Sequence, residues 1–205
     1  LMESPNSNNF SETPNIDREV RQLIEEAAWF CVYDVIEIVF ANCVARNPSG
    51  AEEFAQKINQ AFRRKGVGWQ LVDGQIQVRG AEIFEHSIRT AAELAGQTGR
   101  PSARSELQES LRDLSRRPDP ELTGAIQHAM AALECVARDV TGDPKLTLGE
   151  WLKKNPNAFS APLTGAVEKL WGYTSEYGRH IREGRPTTFD EAEVVVGLAG
   201  ALAVY

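Results

Sequence analysis

Residues 178–185 read GRHIREGR, which places Arg179, Arg182, Arg185 and His180 within seven residues of an otherwise acidic chain. These residue types suit cleavage of RNA without a metal. That reaction needs a base to take the 2′-hydroxyl proton, an acid for the leaving oxygen, and a cation for the charge that builds on the phosphorane. An imidazole, with an unperturbed pKa of about 6.5, serves as either acid or base. A guanidinium clamps phosphate with two parallel hydrogen bonds. Arg179 and His180 are therefore the candidate catalytic pair, and Arg182 and Arg185 the candidate phosphate or RNA contacts. The same segment also suits phosphate or nucleotide binding without chemistry. A purely structural role is open too, with Arg179 paired to a carboxylate and His180 capping a helix.

A second constellation lies on a periodic stretch upstream. Glu134 and Arg138 are four residues apart, the spacing of an ordinary helical ion pair worth about 0.2–0.5 kcal/mol. Gln127 sits two turns earlier. Glu134 is a candidate to orient Arg179 or His180 from a neighbouring helix, with Arg138 and Gln127 as candidate RNA contacts; the alternative is a solvated face. His128, beside this stripe, fits a half-buried packing residue better than a base. Arg63, Arg64 and Lys65 precede Trp69 and could hold a nucleic acid with the indole stacking. The commoner arrangement is a basic helix end followed by a core tryptophan.

Composition narrows the classes further. With 22 Lys and Arg against 29 Asp and Glu the net charge is −7. Both halves are acidic, so any nucleic-acid contact must be a local patch rather than a bulk polyanion surface. Three scattered cysteines, Cys31, Cys43 and Cys135, fit neither a disulfide scaffold nor a zinc site and point to the cytoplasm. No apolar run reaches the ~18–20 residues of a membrane span, and no secretory signal is recognisable. There is no phosphate-binding glycine loop, no nucleophile elbow and no cluster of metal ligands. Neither metal nor cofactor is expected.

These candidates need a scaffold. Residues 1–15, rich in Asn, Ser and Pro, predict a mobile tail. Helical spacing begins near Ile16 and runs about 30 residues, enough for two helices, until Asn47-Pro48 stops it. Residues 51–65 form a further helix. The stretch 67–79 is the one strand signal. Asp73-Gly74 makes a two-residue hairpin turn that pairs Leu71 with Ile76 and Trp69 with Val78 on one face. A helix follows over 80–94, and the glycine-rich 96–101 is the candidate domain boundary. The second half reads as helices over 102–114, 122–140, 146–154 and 163–173. A last helix is opened by a capping box between Thr188 and Glu191. Residues 194–205 are apolar all round, with Gly197 and Gly200 three apart, so this helix belongs in a core or against a partner.

The segment 30–37, FCVYDVIE, resembles the N-terminal domain of AbiJ-type abortive-infection proteins, as does the run 59–78 with its G-x-x-L-V-D-G-x-I pattern. The second half resembles the abortive-infection C-terminal family. The matching stretches are LRDL at 111–114, PDP at 118–120, AI at 125–126 and ALE at 132–134. TG at 141–142, TLG at 147–149, KLWGYTS at 169–175 and GRH at 178–180 follow in order. That family is grouped with the HEPN helical bundles (higher eukaryote and prokaryote nucleotide-binding domains), many of which are dimeric, metal-independent ribonucleases. Their usual signature is an Arg with a His four to six residues later. Here His180 directly follows Arg179, an atypical motif; Arg79 and His86 have nearly that spacing but lie in the other half.

The resemblance implies a mainly α protein. An N-terminal domain over 16–96 would hold helices and one β-hairpin, and residues 100–205 would form a HEPN-like bundle of four or five helices. It implies an abortive-infection effector of phage defence, acting as an RNA endonuclease or RNA-binding toxin. The alternative is a non-catalytic sensor or scaffold for a nucleotide, RNA or a protein partner. A homodimer through the C-terminal helices is expected.

Overall fold

The computed structural model describes residues 12–80, 82–174 and 186–205. Among these residues the chain forms nine helices and one two-stranded antiparallel sheet. In order they are α1 (Glu12–Glu26), α2 (Trp29–Arg46), α3 (Pro48–Arg64), β1 (Trp69–Val72), β2 (Gln75–Val78), α4 (Glu82–Gln97), α5 (Pro101–Leu114), α6 (Leu122–Thr141), α7 (Leu148–Lys154), α8 (Ala161–Tyr173) and α9 (Phe189–Val204). The class is the mainly helical one the sequence predicts, with its hairpin early in the chain. Among the described residues no helix is long and apolar enough to cross a membrane.

The first helical stretch is two helices, broken where Ala28 takes an extended ψ of 144°. α1 begins at Glu12, ahead of the patterning that starts near Ile16. Pro14 is tolerated there because the first turn has no partner for its N–H anyway. α3 begins at Pro48 rather than 51. Asn47 caps it, its Oδ1 accepting from the Gly50 N–H at 3.2 Å, and Pro48 supplies a helical φ at the first position. The residues that end α2 thus also start α3.

The hairpin forms in the predicted register, Leu71 opposite Ile76 and Trp69 opposite Val78. Asp73 and Gly74 take φ of 49° and 83°, the left-handed pair that matches the twist of the strands. A two-stranded sheet has two open edges and does not stand alone. Here side chains satisfy both. On β1 the Asn59 amide of α3 brackets Leu71, donating to its carbonyl at 2.9 Å and accepting its N–H at 2.7 Å. On β2 the Ile76 N–H donates to Glu37 at 2.7 Å and the Val78 N–H to Ser115 Oγ at 3.0 Å. Trp69 joins Trp29, Tyr33 and, through Tyr33, Phe62 in an aromatic cluster with ring centroids 5.4–6.0 Å apart. Trp69 is half-buried in this cluster, beside Trp29, which is exposed.

The main core lies between α4, α5, α6 and α9. Ile88, Leu107, Ile126, Met130 and Val196 are all buried in one cluster. Residues 98–100 join α4 to α5, and both helices contribute to this cluster. The stripe on α6 runs as its spacing predicts through Ile126, Ala129, Met130, Leu133 and Ala137. It stops a turn short, leaving Val140 61% exposed. α9 opens on the predicted capping box: the Glu191 N–H donates to Thr188 Oγ1 at 3.3 Å and the Thr188 N–H to Glu191 Oε2 at 2.9 Å. Gly197 and Gly200 face α4. A Cβ at Gly200 would lie 2.5 Å from Ile88 Cδ1 and 3.1 Å from its Cα, and one at Gly197 would lie 3.0 Å from the Phe84 ring. Val194 and Leu198, on the other side of α9, are exposed.

Candidate functional site

Arg179, His180, Arg182 and Arg185 lie outside the described residues. Glu134, Arg138 and Gln127 are described, all on α6. Glu134 is 9% exposed, whereas Gln127, two turns earlier on the same side of α6, lies at the surface. Arg138 Nη2 donates to Glu134 Oε2 at 3.2 Å, and its Nε donates to the Leu146 carbonyl at 2.8 Å. One guanidinium thus bridges a buried carboxylate and the backbone that leads into α7. This fork fixes the α6–α7 connection, and Arg138 has committed two of its donors to it.

His128 is bound more specifically than its sequence context suggests. Its Nδ1 is 2.7 Å from Glu106 Oε2 and its Nε2 is 3.7 Å from Asp113 Oδ2, both carboxylates coming from α5. Glu106 and Asp113 are seven residues apart, two turns on one helical face, and this is the signal that could have revealed the pair. An imidazole held between two carboxylates is fixed in orientation, but both its nitrogens are engaged. The arrangement ties α5 to α6. Burial pushes the Asp113 carboxyl above its ordinary value, and the His128 charge opposes that shift. On the same side of α6, burial and then the charge of Glu106 push the Cys135 thiol up. A protonated thiol is a poor nucleophile.

Among the described residues, a heavily engaged side chain is one that the sequence does not point to. Arg117 lies between α5 and α6, in a run that reads as a helix breaker before two prolines. Its Nη2 donates to Asp34 Oδ1 at 2.8 Å and to Glu37 Oε1 at 3.0 Å, both on α2, and its Nη1 donates to the Ile76 carbonyl at 3.0 Å. The guanidinium carbon stands 5.8 Å from the Tyr33 ring centre and 6.0 Å from that of Trp69. Its Nε is buried and has no hydrogen-bond partner among the described residues. Burial works against this charge, but the hydrogen bonds to Asp34 and Glu37 outweigh it and raise the Arg117 pKa. The Tyr33 hydroxyl is also pushed up, by burial, with Arg117 opposing. The hairpin is thus held on one edge by α3 and on the other by α2 together with the Arg117 loop.

Residues 1–94 are similar to a known family, AbiJ N-terminal domain 4. The similarity covers just under half of the chain and ends within α4. It takes in Tyr33, Asp34, Glu37, Trp69 and Ile76, the groups that receive Arg117. Arg117 itself comes from beyond it. No curated protein and no solved structure matches the chain.

Proposed function

We propose that this chain is an abortive-infection protein of phage defence that acts on RNA. The observation that carries the first part is the similarity of residues 1–94 to the AbiJ N-terminal domain. The second part rests on chemistry in the other half. His180 takes the 2′-hydroxyl proton as the 2′-oxygen bonds to phosphorus. The P–O5′ bond then breaks, the imidazolium returns the proton to the departing 5′-oxygen, and a 2′,3′-cyclic phosphate is left. Arg179 neutralises the charge that develops on the phosphorane, and Arg182 and Arg185 hold the flanking phosphates. In this reading residues 100–205 are a HEPN-like bundle, Glu134 orients Arg179 or His180, and Arg138 and Gln127 contact the RNA. Two copies pair through the exposed Val194 and Leu198 edge of α9, so that each dimer carries two sets of Arg179 and His180.

The test is incubation of the full chain with total RNA in EDTA, beside Arg179→Ala, His180→Ala and Leu198→Glu variants. The expected result is discrete cleavage that falls about 100-fold or more when His180 is removed, the scale of one general acid or base. Arg179→Ala loses it as well, and Leu198→Glu loses cleavage and dimer together. Intact RNA, or cleavage that persists in both single-site variants, contradicts the reading.

A further inference from the structure

α1 gathers its apolar side chains into one seam and leaves that seam in solvent. Ile16, Val20, Leu23 and Ala27 follow at intervals of four, three and four residues, the d-a-d-a spacing by which one helix packs on another. Ala27 lies just past the end of α1 and continues its last turn, its N–H donating to the Leu23 carbonyl at 3.0 Å. Ile24 widens the stripe. A helix of 15 residues is marginal in water unless such a face is packed. Yet Ile16, Val20, Leu23 and Ile24 are 39–51% exposed. Among the described side chains of α1 only Asn15 is buried and only Glu19 half-buried, and both lie to one side of the seam. The cover that α1 receives falls along that edge and not over the apolar face. Of the fourteen large apolar side chains exposed among the described residues, eight lie on α1 and α2, which localises the unsatisfied apolar surface to the start of the chain.

The charges beside the seam say what fits it. Positions e and g, which flank an a/d seam and set the choice of partner, hold Asp17, Glu19, Ile24 and Glu26. Three are carboxylates and none is a cation. Arg21 and Arg18 sit farther round, at b and f. Asp17 accepts from Arg21 at 2.8 Å and Glu26 from Gln22 at 2.9 Å. Each of these bonds leaves further lone pairs on the carboxylate free to accept. A second copy of α1 would bring the same acidic flanks in either orientation, with no cation at e or g to meet them and like charges set against each other. An anionic lipid surface is disfavoured for the same reason.

We infer that α1 docks a basic amphipathic helix of a partner protein. The partner's apolar stripe covers Ile16, Val20, Leu23 and Ile24, and Lys or Arg beside that stripe meets Asp17, Glu19 and Glu26. The surface is separate from the Val194 and Leu198 edge of α9, and its occupation does not depend on RNA cleavage.

Fluorescence anisotropy with the full chain tests it. The probe is a labelled synthetic three-heptad peptide with Leu at a and d and Lys at e and g. One comparison peptide has Glu at e and g, and another keeps Lys but has Ser at a and d. Saturable binding of the Leu/Lys peptide is expected, weakened by salt, with both comparisons at least tenfold weaker. Leu23→Glu weakens it about tenfold or more although it adds negative charge, because the seam is lost. Glu19→Lys with Glu26→Lys reverses the preference toward the Glu peptide, an outcome that mere melting of α1 cannot produce. Equal binding of the Lys and Glu peptides overturns the inference, as does no saturable binding at about 100 μM protein. Self-association that Leu23→Glu abolishes and Leu198→Glu does not would assign the seam to a second copy instead. Binding to phosphatidylglycerol vesicles that Leu23→Glu abolishes would assign it to a lipid surface, and either result overturns the protein partner.

Discussion

Arg117→Ala is expected to lower the unfolding free energy by about 3 kcal/mol, toward the low end for breaking a buried ion pair. For a chain of this size that is a fall in melting temperature of ~6–12 °C. The Arg117 side chain is 11% exposed, while Asp34 is 56% and Glu37 29% exposed. Asp34 therefore returns to water at little cost, and its pair alone contributes no more than about 1 kcal/mol. Most of the loss comes from the Ile76 carbonyl, which is left without its donor inside the structure, and from the two aromatic faces, which lose a cation. Relief of the unpartnered Nε offsets part of this. Arg117→Lys keeps the charge but cannot span Asp34, Glu37 and the Ile76 carbonyl at once, so it recovers about half. Chemical denaturation of the three proteins measures the difference. A loss under about 1 kcal/mol for the alanine variant would mean that the hairpin edge is held without the guanidinium.

Gly200→Val is expected to cost about 3 kcal/mol, for the opposite reason. Replacing a helical glycine improves backbone propensity by up to ~1 kcal/mol. At Gly200 the added carbon meets Ile88, not only its flexible Cδ1 at 2.5 Å but its backbone Cα at 3.1 Å and N at 3.2 Å. A side-chain rotation clears the first contact and not the other two, so α4 and α9 must separate. Gly165, within α8, has nothing within 4 Å of the same position. Gly165→Ala should therefore gain up to ~1 kcal/mol, which isolates the packing cost from the gain in helix propensity. Thermal melts of the two variants beside the wild type decide the matter. Equal stabilisation by both substitutions would show that α9 does not approach α4 this closely.

What the sequence discloses follows the range of the interactions. Asp73-Gly74 sets the hairpin register because both residues accept positive φ and the strand period does the rest. Thr188 and Glu191 announce the start of α9 because a capping box is complete within four residues. The α6 stripe and the paired glycines of α9 are legible because helical periodicity is local. Arg117 is not, since its carboxylate partners are 83 and 80 residues away. An arginine before a proline reads as a breaker until the chain has folded. Likewise His128 looks like a packing residue until α5 brings Glu106 and Asp113 to it. Of the candidate site, the sequence names Arg179 and His180, which lie outside the described residues.

The most direct measurement is phage yield from bacteria that express the full chain, infected at low and at high multiplicity. The culture is expected to survive sparse infection and to stop growing under saturating infection, with few phage released from each infected cell. Arg179→Ala and His180→Ala restore the yield. Equal release of phage with and without the protein, at matched expression, would contradict a role in phage defence.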